Sequence, residues 1–456
     1  MFTSIGLVLS IVAALSACSV APADKDITLA FECPGFLSVI RSILNKEESD
    51  PVFESDVKSI EELRLISYPY SITSLKGLEY FTALQVLIVL WQPPNAMLTE
   101  IDVSNNKNLR ILNVNLNKLT ELDVSNNHNL VALSAHENRL TSIDLSNNPN
   151  LEFLDLANNQ LTELDVSNNP NLETILVANN QLTELDVSNN LKLRTLEAMD
   201  NTLAELDVSS NLDLESFWLE NNLLTELEVI DLPNLEWFNV GNNQITGVTV
   251  TNTPCLYAVN VWENHLTELD VSGIPSLETL NIWGNQLTEL DISDNPGLRQ
   301  ILVDDNRLIA LDISNNPELL FIYINNNSLT ELDTSNNPLL DCIHVGNNQL
   351  TGLDVSNNPE LTRLDLWGNR LTSIDISNNP SLVLLRISDN QLSELDVSSN
   401  LILTMIDVRW NHFDSPGSVT GRNEDRYTRF REVQESAEQP YGIWEISEGF
   451  WFYPQN

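Results

Sequence analysis

One column of acidic residues could do chemistry in this chain. From Asp102 to Asp396, every 21st residue is aspartate in thirteen of fifteen cases, with Glu228 and Thr249 as the exceptions. Ten of these units also carry glutamate two residues earlier. Stacked carboxylates are ligands that Ca²⁺ accepts, but these units lack the glycine-rich loop of calcium-binding repeats. We therefore expect a solvated acidic surface with no metal site and no cofactor.

The residue types that usually serve catalysis do not form a recognisable catalytic motif in the sequence. The five histidines fall at scattered positions, namely His128, His136, His265, His344 and His412. No pair of them has metal-ligand spacing with a third ligand, and no strained nucleophile motif occurs. The sequence therefore predicts a protein that is not an enzyme.

The elements that carry these residues are set by a strict repeat. The heptapeptide Leu-Thr-Glu-Leu-Asp-Val-Ser begins at Leu119 and recurs at Leu161, Leu182 and Leu266. Every 21st residue from Leu109 to Leu403 is leucine, in fifteen units without insertion or deletion. Such short units bury their apolar side only against their neighbours, which predicts a solenoid. Within a unit, apolar residues alternate as they do in a β-strand and not as they do in a helix.

A column of asparagines accompanies the leucines. Every 21st residue from Asn117 to Asn411 is asparagine in all fifteen units. An amide side chain both donates and accepts hydrogen bonds, so it can satisfy buried backbone groups where the strand bends into the turn. We expect this structural role for the column, including Asn117, Asn138, Asn159, Asn180, Asn264 and Asn285.

The spacing of these columns resembles a known family. Leu151, Leu154, Leu156, Asn159 and Leu161 match the motif Leu-x-x-Leu-x-Leu-x-x-Asn-x-Leu of leucine-rich repeat proteins. The 21-residue unit is similar to the repeats of internalins, a family of bacterial surface proteins. This resemblance implies a right-handed, β-rich leucine-rich repeat solenoid with a parallel sheet on its concave face. It also implies a small N-terminal helical cap, and little helix is expected on the convex face.

The chain divides into five segments. We expect a lipoprotein signal peptide at 1–17, a short linker at 18–30, and an N-terminal cap with a first irregular turn at 31–80. The 21-residue repeats follow at 81–413, and 414–456 is expected to form a C-terminal cap. In that last segment the aromatic residues Trp444, Phe450, Trp451, Phe452 and Tyr453 would cover the apolar edge of the final turn.

The N-terminus looks like a bacterial lipoprotein signal. An apolar run from Ile5 to Leu15 is too short to span a bilayer, and Leu15-Ser16-Ala17 precedes Cys18. We expect Cys18 to be lipidated and to anchor an exported protein to the bacterial membrane, at the cell surface or the periplasmic face. Ala21-Pro22-Ala23 offers the alternative of an ordinary cleavage site.

Charge and cysteine content limit the partners. The chain has 65 acidic and 22 basic residues, a net charge of −43, so the phosphates of nucleic acids would be repelled. Cys255 and Cys342 lie about four turns apart, too far for a disulfide at the usual spacing of ~4.8 Å per strand. We expect a monomer that is stabilised by its stacked leucines.

Aromatic residues break the repeat at positions that should point outward from the strands. Four tryptophans occupy four consecutive turns, and exposed aromatic side chains beside polar ones are typical of binding surfaces. The predicted ligand-binding residues are Trp218, Trp237, Trp262, Trp283, Phe321, Tyr323, Trp367, Glu220 and Asp304, with Glu197, Asn239, Asn260, Asn281 and His344 around them.

Three functions are compatible with this aromatic and acidic face. A protein ligand would use it as an adhesive or interaction surface. A neutral glycan would stack its sugar rings on the tryptophans. A structural role in the cell envelope would need no specific ligand. The aromatic residues could also simply cover strand surface, because β-strands favour them.

Overall fold

The structure is a computed structural model that describes residues 24–66, 71–90 and 97–421. The predicted signal peptide, Cys18 and the aromatic residues of the predicted C-terminal cap lie outside these residues. In the described ranges, helical structure is confined to small elements: α1 (Pro34–Ile43), α2 (Glu54–Val57) and the 3₁₀ turns Thr28–Ala30, Leu78–Tyr80 and Pro416–Ser418. No helix among the described residues has the length and hydropathy that crossing a membrane requires.

The helix α1 closes the N-terminal end of the core. Its residues Phe36, Val39 and Ile40 are fully buried, and their spacing of three and four places them on one face. Phe36 packs against Phe31 and Phe81, with ring centroids 5.4 and 6.5 Å away. The prediction of a small N-terminal helix is confirmed.

The rest of the described chain is made of short strands. In chain order they are β1 (Glu62–Ile66), β2 (Val86–Leu90), β3 (Ile111–Asn113), β4 (Ala132–Ser134), β5 (Phe153–Asp155), β6 (Thr174–Leu176), β7 (Thr195–Glu197), β8 (Ser216–Trp218), β9 (Glu226–Ile230), β10 (Trp237–Asn239), β11 (Gly247–Thr251), β12 (Ala258–Asn260), β13 (Thr279–Asn281), β14 (Gln300–Leu302), β15 (Phe321–Tyr323), β16 (Cys342–His344), β17 (Arg363–Asp365), β18 (Leu384–Arg386), β19 (Leu395–Asp396), β20 (Met405–Asp407) and β21 (Val419–Thr420).

Seventeen of these strands form one parallel sheet, with one strand per turn. From β3 onward, neighbouring strands of this sheet pair residues that are 21 apart in sequence, as in Leu154 beside Ile175 and Leu133. In the three-residue strands of this sheet the middle residue points inward and the residues on either side of it face out. In the five-residue strands β1 and β2 the second and fourth residues point inward. The leucine column packs beneath the sheet as part of one continuous core. The leucine-rich repeat solenoid is therefore confirmed as the fold.

The asparagine column holds the bend after each strand. In one turn, Asn159 accepts a hydrogen bond from the Leu140 N–H at 3.0 Å and donates to the carbonyl oxygens of Ala135 and Leu156 at 3.0 Å. One amide thus joins its own turn to the turn before it. The residue that precedes each of these asparagines has a positive φ in all fifteen turns. It is most often asparagine or aspartate, which tolerate this conformation, and it is glycine at Gly284 and Gly368.

The acidic column has a local structural role on the outer half-turn, the part of each unit that lies away from the large sheet. The Asp165 carboxylate accepts a hydrogen bond from the Ser167 N–H at 2.9 Å, and this bonding holds the pKa of Asp165 below its usual value. The same Asp-x-Ser bond recurs along the column, for example at Asp186 and Asp291. Within the described residues, no group of three or more His, Cys, Asp or Glu residues is placed to hold a metal ion.

Two turns in the middle of the solenoid depart from this pattern. There β9 and β11 pair in parallel as a separate two-stranded sheet on the outer half-turn. The exceptions in the acidic column, Glu228 and Thr249, lie within these two strands. A second buried asparagine column, represented by Asn169 with bonds to Leu145 and Asn148, is also interrupted here. Leu232, Thr253 and Ile274 replace its members, and all three are fully buried.

Candidate functional site

Each turn presents three outward side chains on the face of the large sheet. They are the residue before the inward middle residue of the strand, the residue after it, and the residue two positions further on. We name these the first, second and third rows, and in one turn they are Phe153, Asp155 and Ala157. The rows run along the solenoid because strands pair in a constant register.

The predicted ligand-binding residues are distributed over all three rows. Trp237 and Phe321 lie in the first row, and Trp218 and Tyr323 lie in the second. Trp262, Trp283 and Trp367 lie in the third row, together with Glu220 and Asp304. The four consecutive tryptophans therefore step across the sheet from one row to another. Most of these aromatic rings are half-buried.

Trp262 and Trp283 form a stacked pair at the centre of this face. They are third-row residues on adjacent turns, with ring centroids 6.1 Å apart and an interplanar angle of 26°. Trp283 is 36% exposed, and its indole Nε1–H donates to the Asp305 carboxylate at 2.6 Å. Trp262 lies over the backbone of Gly241, the third-row residue of the preceding turn. The Gly241 backbone therefore supports Trp262, and the hydrogen bond to Asp305 fixes the position of Trp283.

Gly241 should be required for this arrangement. A Cβ atom at this position would overlap the indole ring of Trp262, so Gly241→Ala is expected to displace the ring and to lower the free energy of unfolding by ~1–3 kcal/mol, as overpacking does. Chemical denaturation with tryptophan fluorescence would measure both effects. Gly247→Ala is the matched control, because a Cβ atom there meets no other atom within 4 Å. Equal effects of the two variants would contradict the packing described for Trp262.

Two carboxyl groups flank the tryptophan pair in the third row. On consecutive turns this row reads Glu220, Gly241, Trp262, Trp283 and Asp304. Burial raises the pKa of Glu220 to about 7 and that of Asp304 to about 6. Asp304 accepts hydrogen bonds from the backbone N–H and side-chain amide of Asn325 at 2.9 and 2.6 Å. Both groups therefore change charge near neutral pH.

A second cluster lies further along the sheet, at β15 to β18. Tyr323 is only 8% exposed, so the expectation that it would be an exposed contact residue is wrong. Its ring meets His344 edge-on at 4.8 Å, and it contacts the buried Cys342. Asp365 is 3% exposed and pairs with Arg386 at 3.0 Å. Packing between neighbouring turns accounts for the burial of Tyr323.

Several residues of this face were not predicted from the sequence. Tyr257 lies beside Trp237, with ring centroids 6.1 Å apart. Arg363 lies in the first row of the turn that contains Trp367, and Arg386 lies in the second row of the next turn. Trp367 covers Gly346 just as Trp262 covers Gly241. A glycine exactly one repeat before a tryptophan is therefore a sequence signal for this packing. It occurs twice and could have been read from the 21-residue register.

Two cavities of the described residues lie away from the aromatic residues. One of about 670 Å³ runs along the edge of the sheet near Asn108, Asn129 and Asn150. The other, of about 480 Å³, lies on the outer half-turn beside Pro233, Pro254 and Pro275. None of the predicted ligand-binding residues lines either cavity. The aromatic face is an open surface, which suits a macromolecular ligand better than a small molecule.

Comparison with known proteins agrees with this architecture. Residues 149–191 match the family described as Leucine Rich repeats (2 copies), and no curated protein matches the chain. The functional domain of InlJ from Listeria monocytogenes, which includes a cysteine ladder, is 29% identical, with a TM-score of 0.67. The match covers 82% of this chain and 78% of that one.

Two further solved structures share the fold. An internalin, InlF, from Listeria monocytogenes is 21% identical with a TM-score of 0.54, and the match covers 85% of this chain and 99% of that one. The ectodomain of the plant receptor kinase GASSHO1/SCHENGEN3 from Arabidopsis thaliana was solved in complex with Casparian strip integrity factor 2. It is 22% identical with a TM-score of 0.65, over 78% of this chain and 48% of that one. The chain therefore contains leucine-rich repeats and is similar in fold to internalins.

Proposed function

We propose that this protein is a non-enzymatic binding protein whose concave sheet face holds a protein ligand. The observation that carries the proposal is the stacked pair of Trp262 and Trp283, which lies half-exposed at the centre of an open face. Tryptophan is among the residues that contribute most to protein interfaces. The outer half-turns are occupied by repeated structural residues, whereas the sheet face varies from turn to turn.

The stacking of the tryptophans favours a protein ligand over a neutral glycan. One side of Trp262 lies on Gly241 and the other side faces Trp283, so its ring offers an edge and not an open platform for a sugar. The plant receptor ectodomain of similar fold was solved with a bound factor, which supports a protein ligand in general. The test is whether a ligand held by the wild-type chain is lost when this tryptophan pair is removed.

We further propose that the protein is exported and anchored to the bacterial membrane by a lipid on Cys18. The motif Leu15-Ser16-Ala17-Cys18 after an apolar run supports this proposal. Cys18→Ala should move the protein from the detergent-extracted membrane fraction to the soluble exported fraction, as cell fractionation with immunoblotting would show. Wild-type protein recovered in the soluble fraction would contradict the anchor.

A further inference from the structure

The side chains of the third row on either side of the tryptophan pair form an unusual sequence of chemical groups. Over five consecutive turns it presents a carboxyl group at Glu220, no side chain at Gly241, two indole rings, and a carboxyl group at Asp304. The Asp305 carboxylate adds a third negative charge by accepting the Trp283 Nε1–H at 2.6 Å. Aromatic faces and carboxylates both attract cations. The order therefore places two kinds of cation-binding group side by side.

This acidity is local and is not simply the charge of the whole protein. From β7 to β15, the three outward rows contain Glu197, Glu220 and Asp304 but no lysine, arginine or histidine. From β16 to β20, the same rows contain four such residues, namely His344, Arg363, Arg386 and Arg409, and also the acidic residues Asp365 and Asp407, which pair with Arg386 and Arg409. The tryptophan pair therefore lies where the charged residues of these rows are all acidic, whereas further along the solenoid acidic residues are paired with basic ones.

Glu220 lacks a donor for one of its oxygens. Its Oε2 atom is shielded from solvent and has no hydrogen-bond partner among the described residues. The charged groups that act on it, Asp200 and Glu197, are both acidic. Asp304 is likewise next to the acidic Asp305. A positive group brought by a ligand would relieve this repulsion and supply hydrogen-bond donors.

We infer that the segment from Glu220 to Asp304 binds a basic side chain, an arginine or a lysine, of the protein ligand. The inference rests on the proposed function and specifies the chemistry of the partner. The cation would lie over the face of Trp283 that does not stack on Trp262, within about 6 Å of its ring centroid. Asp304, one turn beyond Trp283, would supply the nearer counter-charge, and Glu220, two turns before Trp262, would supply a more distant one.

Binding of a defined peptide tests the inference directly. The probe is a capped octapeptide that alternates glycine and arginine, and the reference is the same peptide with uncharged citrulline in place of arginine. Titration of the full chain in 0.15 M salt, followed by tryptophan fluorescence, should show binding of the arginine peptide at least about tenfold tighter than of the citrulline peptide, because only arginine is charged. Equal binding of the two peptides would overturn the inference.

Two double variants distinguish binding at this site from attraction to the overall negative charge of the protein. Glu220→Gln with Asp304→Asn should weaken binding of the arginine peptide by at least about tenfold, because both counter-charges are lost. Glu163→Gln with Glu289→Gln removes the same charge at exposed positions of the outer half-turns and should change binding less than about twofold. Equal losses in the two pairs would mean non-specific attraction and would overturn the inference.

The pH profile of peptide binding provides a readout that a structural role would not give. Because burial raises the pKa of Glu220 and Asp304, both carboxyls lose their charge as the pH falls. Affinity for the arginine peptide should therefore rise between pH 5 and pH 8, and Glu220→Gln should remove the part of the rise near pH 7. A flat profile for the wild-type chain would contradict the inference.

The two proposals can fail separately. If removal of Trp262 and Trp283 abolishes capture of a protein ligand but the arginine peptide does not bind, the cation site is wrong and the binding face remains. If the arginine peptide binds as described but no protein ligand depends on the tryptophan pair, the cation site remains and the proposed function is wrong.

Discussion

Replacement of Asn264 by alanine is expected to destabilise the solenoid by about 3 kcal/mol or more. The Asn264 side chain accepts a hydrogen bond from the Ile245 N–H at 3.0 Å and donates to the carbonyl oxygens of Val240 and Val261 at 3.0 and 3.1 Å. Alanine would leave these buried backbone groups without partners, at ~1–3 kcal/mol each. Urea denaturation followed by circular dichroism would show a lower midpoint with an unchanged slope.

Asn168→Ala is the matched control for this loss. Asn168 is an exposed turn residue whose side-chain amide donates a hydrogen bond to the neighbouring Ser167 hydroxyl, so its replacement should change the free energy of unfolding by less than ~0.5 kcal/mol. Similar destabilisation by both variants would mean that the buried amide column does not hold the turns together.

Removal of the tryptophan pair is expected to abolish ligand binding. Truncation of a central tryptophan in an interface commonly costs ~2 kcal/mol or more, so Trp262→Ala with Trp283→Ala should weaken binding by roughly a thousandfold. The cost in stability should be smaller than for Asn264→Ala, because neither ring belongs to the buried core. Capture of the ligand on immobilised protein, together with the melting temperature, would measure the two effects.

Trp410→Ala is the control for the tryptophan pair. Trp410 is 72% exposed on the last turn, away from the third-row segment, so its loss should leave ligand capture unchanged. If it reduces capture as much as the double variant, the ligand is not held by the pair. If the double variant unfolds as readily as the Asn264 variant, the two tryptophans are structural.

The strict repeat explains why the fold could be predicted from the sequence. A residue that recurs every 21 positions occupies one place in every turn, so the leucine column at Leu151 and its equivalents had to lie inside. The strand alternation and the helical spacing of Phe36, Val39 and Ile40 are likewise local patterns. These features need no knowledge of the contacts between turns.

The arrangement of the candidate site depends on contacts that the repeat does not encode. The alternation of residues along β15 shows that the Tyr323 side chain points to the outer face of the sheet. It is buried there because His344 and Cys342 of the next turn pack against it. Likewise, Trp262 rests on Gly241 because that residue lacks a side chain. The packing between adjacent turns determines, for each residue, which neighbouring residue its side chain contacts.

The structure, and not the sequence, explains why some residues of the outer half-turn break the acidic and asparagine columns. The sequence shows Glu228 and Thr249 out of the acidic column, and Leu232 and Thr253 out of an asparagine column. It gives no reason for the coincidence. The pairing of β9 with β11 connects them, because extended strands there replace the Asp-x-Ser turn and the buried amide that follows it.

This local pair of strands bears on how a chain of near-identical units finds its correct alignment during folding. A turn that stacked on the wrong neighbour, one unit out of place, would still match leucine with leucine and asparagine with asparagine. A slipped register at β9 and β11 would instead set Val229 or Val250 against a turn that has no strand to pair with them. The irregular stretch thus penalises slippage, and it provides a fixed reference from which the uniform repeats on both sides can be counted.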